Sequence, residues 1–204
     1  MAQQVARALH YHFVDRDVMG LVFRQYGFAE FGDVYERAPG FMARFDNRRT
    51  EILKMLDQVF RALARHGNMV ILGGGAFAIL GGLADVLNVR IQASLPARVQ
   101  WTMKNHDISD SAKAEALVNE GDKERAAFVE FSYRVRWDSV RSFDLVIDTG
   151  KLSQDLAVKW MTEAHAALLA SKNLSTGPGS ASAFEVDPNL SEAVSNALEC
   201  QATH

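Results

Sequence analysis

A cluster of charged residues on one predicted helical segment is the part of this sequence best suited to phosphate chemistry. Its residues are Asp122, Lys123, Glu124 and Arg125, with Arg134 and Arg136 downstream. Several cations on one segment could close over a phosphate and neutralise the negative charge that spreads over its oxygens during phosphoryl transfer. The alternative is a solvated helix face with ion pairs three or four residues apart, and spacing alone favours that alternative.

The second candidate is a run of three glycines, Gly73 to Gly75, directly after the apolar segment 69–72. The pattern predicts a buried strand, a tight turn and a short helix, and ligands bind at such junctions in α/β domains. With Ala78 the run fits G-x-G-x-x-A, but no long helix and no acidic residue follow where a dinucleotide site needs them. The Lys and Ser/Thr of a Walker A loop are also missing. The alternative is a turn that is merely packed tightly against its neighbours.

Two carboxylates, Asp15 and Asp17, stand just beyond the predicted strand 11–14, where their side chains can reach a cleft. Their alternative role is helix capping, which Asp performs routinely. The six histidines show no spacing typical of a metal site, so no protein-held metal is expected. Cys200, close to the end of the sequence, is a poor candidate for a nucleophile.

Four short apolar or β-branched segments are predicted to be strands, and helical patterns separate them. They are 11–14, 69–72, 86–92 and 143–148. Strands that alternate with helices are typical of βαβ units. The predicted fold class is therefore α/β, with a parallel sheet and helices on both of its faces.

The longest predicted helix begins at Asp46 or Asn47 and ends at Gly67. From residue 171 the sequence becomes rich in Ser, Gly and Pro, a composition that buries too little apolar surface to order itself. A flexible tail is therefore predicted over 171–204, with at most a short, loosely attached helix at 190–198.

Composition excludes several classes of partner. The chain has 204 residues, a net charge of −3 and a pI near 6.1, so it lacks the basic surface of a sequence-independent nucleic-acid binder. One cysteine cannot form an intrachain disulfide, and a cytoplasmic location is the simplest setting. The N-terminus lacks the apolar stretch of a signal peptide, and the longest uncharged run, 67–84, is shorter than the roughly 20 apolar residues of a membrane span. Neither a nucleic acid nor a membrane is expected as a partner.

Five segments, in this order and spacing, resemble the cytidylate kinase-like family of P-loop phosphotransferases, which are related to nucleoside monophosphate kinases. They are Tyr11–Asp17, Leu63–Ala76, Val89–Ile91 together with Pro96–Val99, Asp122–Phe128 and Phe143–Ser153. The resemblance extends over about residues 2–169. It implies a kinase-like domain over 1–170 with a P-loop-kinase-like fold, and a lid at about 104–142.

The same resemblance implies transfer of a phosphoryl group from ATP, supplied with Mg²⁺, to a nucleoside monophosphate such as CMP. It places Asp15 and the 73–75 turn beside the acceptor nucleotide. It assigns Lys123 and Arg125 to the lid as catalytic cations, and it gives Arg98 a role in positioning the phosphates. The implied partners are therefore small-molecule nucleotides.

Two features depart from the family pattern. The family's first strand and glycine-rich phosphate loop normally precede the segment that starts here at Met1, and their absence predicts unpaired backbone edges in the middle of the sheet. Gly74 stands where the family commonly has an arginine that faces the acceptor phosphate. The primary hypothesis is a cytidylate kinase-like phosphotransferase whose sequence begins late. The alternative is a non-catalytic relative that acts as a nucleotide-binding or interaction module, so enzymatic activity stays open.

Overall fold

A computed structural model describes residues 1–28, 47–171 and 179–202, with side chains described except at 47–49 and 201–202. Helices and strands alternate in these residues. The strands are β1 (His12–Val14), β2 (Met69–Ile71), β3 (Val89–Gln92) and β4 (Leu145–Asp148). The helices are α1 (Ala2–Leu9), α2 (Arg16–Gln25), α3 (Asn47–His66), α4 (Ala76–Leu80), α5 (Leu95–Asn105), α6 (Ser111–Tyr133), α7 (Gln154–Ala170) and α8 (Pro188–Ala202). Short 3₁₀ turns occur at Val140–Ser142 and Ala181–Ala183.

All four predicted strands are present, although each is shorter than the predicted segment. They form two separate two-stranded parallel sheets instead of the single sheet that was expected. In the first sheet β1 pairs with β2, with Val14 opposite Ile71. In the second β3 pairs with β4, with Gln92 opposite Asp148. The α/β class and the parallel pairing are confirmed, whereas the sheet is divided.

The division leaves one free edge on β2 and one on β3. Leu72 N donates to Val14 O at 2.8 Å, so the even-numbered residues of this segment face β1, and Met69 and Ile71 direct their backbone groups away from it. On β3, Gln92 O accepts from Thr149 N at 2.8 Å. By the same alternation, Val89 and Ile91 direct their backbone groups away from β4. No further strand continues either sheet in the described part of the chain.

Helices cover both faces of β2, as the α/β prediction requires. Met69 and Ile71 pack against the larger apolar cluster, whereas Val70 packs against a smaller one on the opposite face. The smaller cluster contains Val5 of α1, Ile147 of β4, and Ala157 and Met161 of α7. Val89 of β3 packs against this same cluster, so β2 and β3 rest on one layer built by α1 and α7.

Helix α3 supplies one wall of the larger cluster. Its buried residues recur every three or four positions, which puts them on one face of the helix. They are Ile52, Met55, Leu56, Val59, Phe60, Ala62 and Leu63, none more than 5% exposed. The predicted helix ending at residue 67 is therefore confirmed from Asn47 to His66, while the proposed cap Asp46 lies outside the described residues.

The C-terminal region corrects the prediction of a loosely attached helix. Leu190, Val194, Ala197 and Leu198 are each at most 2% exposed and belong to the larger cluster, where α8 packs against α2 and α3. Asp187 Oδ1 caps the helix by accepting from Asn189 N at 2.8 Å. Spacings of three and four residues give α8 an apolar stripe that outweighs the polar composition of the tail as a whole. Residues 172–178 and 203–204 of the predicted flexible tail lie outside the described residues.

Candidate functional site

Two groups of predicted site residues lie at the carboxyl ends of the parallel strands. Asp15 follows β1, and the turn of Gly73 to Gly75 follows its partner β2 after one residue. These two features therefore meet at one end of the first sheet. Arg98 lies in α5, which begins shortly after β3, at the corresponding end of the second sheet. Ligands of α/β proteins bind at such ends.

Asp15 acts as the cap of α2. Its Oδ1 accepts from Asp17 N at 3.0 Å and from Val18 N at 3.2 Å, which satisfies two backbone donors of the first helical turn. The capping role named as the alternative is therefore present in the structure. Both bonds use the same carboxylate oxygen, and no hydrogen bond of Oδ2 is found within the described residues.

The glycine turn has a backbone that favours glycine at each of its three positions. The φ angles of Gly73, Gly74 and Gly75 are 80°, 66° and 77°, all in the left-handed region that other residues rarely adopt. A Cβ atom at Gly74 would lie 2.7 Å from Cζ of Phe60, whose side chain is buried in α3. The departure at position 74 thus fits its surroundings, because any side chain there would be strained and would displace a core ring.

The turn is also joined to the helix that carries the charged cluster. Tyr133, the last residue of α6, donates its hydroxyl hydrogen to Gly74 O at 3.1 Å. A Cβ atom at Gly75 would lie 2.3 Å from Cε2 of the same tyrosine ring, so this close approach requires glycine. The C-terminal end of α6 and the glycine turn therefore form one packed unit.

Arg98, Asp122 and Arg125 form a compact group that we call the arginine cluster. Asp122 Oδ2 accepts from Arg98 Nη1 at 2.6 Å, and its Oδ1 accepts from Arg125 Nη2 at 2.7 Å. Partial burial raises the pKa of the Asp122 carboxyl. The hydrogen bonds from the two arginines lower it by more than burial raises it, so this pKa lies below its usual value. The carboxylate stays ionised, and two guanidinium groups share one negative charge.

The remaining predicted cations are arranged differently. Lys123 is exposed on α6, one residue after the bridging carboxylate. Arg136 forms a bidentate ion pair with Asp138, at 2.7 and 3.0 Å, on the protein surface. Arg134 ends α6 in the left-handed conformation, with its guanidinium 5.9 Å from the centre of the Phe131 ring. The predicted cluster is thus divided: Arg125 joins Arg98, which was not predicted to belong to it, and Arg136 pairs with Asp138 elsewhere.

Residues that were not singled out also build this region. Arg90 on β3 donates from Nη1 to Trp137 O at 2.5 Å, and its guanidinium lies 5.3 Å from the centre of the Trp137 ring. This residue therefore ties the second sheet to the segment that follows α6. The available signal was an arginine between Val89 and Ile91 in an apolar strand, because a partly buried cation needs a partner.

The described residues 1–28, 47–171 and 179–202 contain no group of three or more His, Cys, Asp or Glu side chains that could hold a metal ion. In the same residues no helix is both long enough and apolar enough to cross a bilayer.

Comparisons with known proteins point to one family. The model of the cytidylate kinase-like family matches residues 1–151, which is more than half of the chain. No curated protein matches the sequence. The crystal structure of an uncharacterized protein from Eubacterium ventriosum is similar to this chain with a TM-score of 0.62 and 17% sequence identity, over 81% of this chain and 89% of the other. At that identity the similarity concerns the fold alone.

Proposed function

Because this chain belongs to the cytidylate kinase-like family, we propose that it takes part in phosphoryl transfer from Mg²⁺-bound ATP to a nucleoside monophosphate such as CMP. The observation that carries the proposal is the arginine cluster, in which two guanidinium groups from different helices lie within 2.7 Å of one carboxylate. The cluster lies beyond the end of a parallel strand, where ligands of α/β proteins bind. Guanidinium groups suit phosphate because their N–H donors match its oxygens in pairs.

In the proposed reaction an oxygen of the acceptor's phosphate attacks the γ-phosphorus of ATP. The bond from that phosphorus to the oxygen bridging the β- and γ-phosphates breaks, and ADP leaves with the electron pair. Negative charge is spread over the transferred oxygens, so positioned cations lower the barrier. Arg98 and Arg125 supply that charge, and exposed Lys123 can add to it. Mg²⁺ would contribute by neutralising the donor phosphates.

The acceptor would lie at the end of the first sheet. Asp15 Oδ2 can accept a hydrogen bond from a hydroxyl or amino group of the nucleotide, since the capping bonds use Oδ1. The glycine turn offers backbone instead of the arginine that the family commonly places at position 74. Acceptor affinity in this chain would therefore depend more on Asp15 and on backbone groups than on a guanidinium at the turn.

The donor phosphates need a backbone loop, which we place between the two sheets. The free edges of β2 and β3 rest on one helical layer, and a single strand that runs between them would pair with both. Two apolar side chains close to these edges are exposed to solvent. Leu72 is 55% exposed and Ile91 is 41% exposed. A turn at the end of such a strand would present its N–H groups to phosphate.

A coupled ADP-release assay with a panel of nucleoside monophosphates tests this proposal. It should compare the 204-residue chain with a form that carries an added N-terminal apolar strand and glycine-rich turn. We expect the added segment to give or to raise turnover with at least one acceptor. If neither form releases ADP with any acceptor while an active kinase does so beside them, the phosphotransferase proposal is wrong.

The second candidate is a nucleotide-binding module without catalysis. It is favoured by one observation, that the backbone and Phe60 leave no space for the arginine expected at position 74. A ligand that binds only the folded state raises the melting temperature by mass action. Nucleotide-dependent thermal stabilisation without ADP release from either form would therefore favour the module over the enzyme.

A further inference from the structure

Asp122 accepts hydrogen bonds from arginines of two different helices. Arg98 lies in α5 and Arg125 lies in α6, and each donates to a different oxygen of the Asp122 carboxylate. Arg125 follows Asp122 by three residues on the same helix, whereas Arg98 precedes it by 24 residues on the other. A single carboxylate therefore fixes the separation of two guanidinium groups that the backbone alone would leave independent.

The residue before Asp122 makes room for this arrangement. Gly121 lies inside α6, where glycine is an unfavourable choice for a helix. A Cβ atom at this position would lie 3.3 Å from Arg125 Nη1 and 3.5 Å from its Nη2. The absence of a side chain at position 121 lets the Arg125 guanidinium fold back along the helix toward Asp122.

The arginine cluster has the charge and the donor groups to bind an anion. Two guanidinium groups and one carboxylate leave a net charge of +1. The Nε atom of Arg98 is buried and has no hydrogen-bond partner among the described residues. A buried N–H without an acceptor is costly, so an arriving phosphate oxygen would gain a donor that is already desolvated.

We propose that Asp122 is a positioning residue, which holds Arg98 and Arg125 as a preformed pair for a phosphate group of the nucleotide. This inference rests on the proposed function, and it deepens that function by naming what preorganises the phosphate contacts. Removing a negative charge beside an anion site should strengthen binding if charge alone matters. A positioning role has the opposite consequence, because both guanidinium groups lose the carboxylate that orders them and must be ordered by the ligand.

The test compares Asp122→Asn with Glu124→Gln in the full chain. Both variants remove one negative charge from α6, but no hydrogen bond or ion pair of Glu124 with either arginine is found in the described residues. Titration calorimetry with ATP and with CMP is the readout. We expect Asp122→Asn to weaken binding of the nucleotide whose phosphate meets the cluster by about tenfold, and Glu124→Gln to change it less than about twofold.

Exchange of the arginine Nη hydrogens, which form the bonds to Asp122, can be followed by NMR and provides a readout that does not depend on turnover. We expect exchange at Arg98 and Arg125 to accelerate in Asp122→Asn and to stay unchanged in Glu124→Gln. Equal or tighter nucleotide binding by Asp122→Asn would overturn the inference while leaving the proposed function in place. If the unmodified chain binds neither nucleotide, that result counts against the proposed function. The exchange measurement still tests the positioning role, which unchanged arginine exchange in Asp122→Asn would overturn.

Discussion

Substituting Gly74 by alanine tests how the glycine turn is held against the core. The residue has a φ angle of 66°, and an added Cβ would lie 2.7 Å from Phe60 Cζ. Two separate costs therefore act on Gly74→Ala. One is the left-handed backbone that an L-residue disfavours, and the other is displacement of a ring that is only 1% exposed.

The expected magnitude follows from these two costs. A non-glycine residue in the left-handed region costs about 1–2 kcal/mol. Forcing an extra carbon into a packed core costs about 1–3 kcal/mol. The reduced entropy of the unfolded chain returns roughly 0.4–1 kcal/mol when alanine replaces glycine. Gly74→Ala should therefore lower the free energy of unfolding by about 1–5 kcal/mol.

Two other glycines separate the contributions. Gly27 has a φ angle of 95° with no heavy atom within 4 Å of its added Cβ, so Gly27→Ala carries the backbone cost alone. Gly82 has open space and no left-handed φ, so Gly82→Ala should change stability by less than about 0.5 kcal/mol. Urea unfolding of all three variants measures the midpoint, and an unchanged slope allows the midpoints to be compared as stabilities.

The comparison between Gly74→Ala and Gly27→Ala decides the outcome. If the two variants lose the same stability, the contact with Phe60 is not tight and the explanation of the missing arginine is wrong. A double-mutant cycle with Phe60→Leu checks the same contact, because removing the ring should relieve part of the Gly74→Ala cost. Additive effects of the two substitutions would argue against the contact.

Three further perturbations test the packing of the fold. Leu198→Ala should cost about 2–5 kcal/mol of unfolding free energy, because the leucine side chain is 1% exposed in the core. Asn196→Ala, at an exposed position of the same helix, should be near neutral. Equal urea midpoints of the two variants would mean that α8 is not packed as described. Asp85→Ala should cost about 1–3 kcal/mol of unfolding free energy, because the carboxylate accepts from Ser180 Oγ at 2.6 Å and from Ala181 N at 3.0 Å. Glu185→Ala, at an exposed position, serves as the control. Equal losses of stability in the two variants would contradict a stabilising role of the Asp85 hydrogen bonds. Burial lowers the pKa of His165 below 6.5, so its stabilising contribution should be complete above pH 6.5 and lost as pH falls through the folded-state pKa. His165→Gln should remove that part of the pH dependence in urea unfolding, and an unchanged pH profile would refute the assignment.

Much of the local structure was predictable because short-range patterns specify it. The apolar spacing of α3 and the alternation of four strands with helices were sufficient to predict those elements. Asp110 caps α6 by accepting from Ala112 N at 2.8 Å, and Ser153 caps α7, where its Oγ accepts from Leu156 N at 3.2 Å. Such signals reside in neighbouring residues, so the sequence carries them directly.

The parts that were missed depend on contacts between distant residues. The sequence contains the apolar stripe of α8, but the polar composition of the residues after 171 favours a flexible tail, and only the packing against α2 and α3 shows that the stripe is buried. The left-handed backbone at Gly74 and its approach to Phe60 join residues on different elements. The bridge from Asp122 to Arg98 spans two helices, whereas its bond to Arg125 has the three-residue spacing that a helix predicts.

Nucleotide binding by Arg125→Ala, compared with Arg136→Ala, tests most directly whether the arginine cluster is the phosphate site. Each variant removes one guanidinium, but Arg125 belongs to the cluster and Arg136 is paired with Asp138 on the surface. In titration calorimetry with ATP and CMP, Arg125→Ala should lower the affinity for the nucleotide that meets the cluster by about 10- to 100-fold. Arg136→Ala should change that affinity by less than about twofold. Equal losses in the two variants, or full affinity in Arg125→Ala, would contradict the assignment.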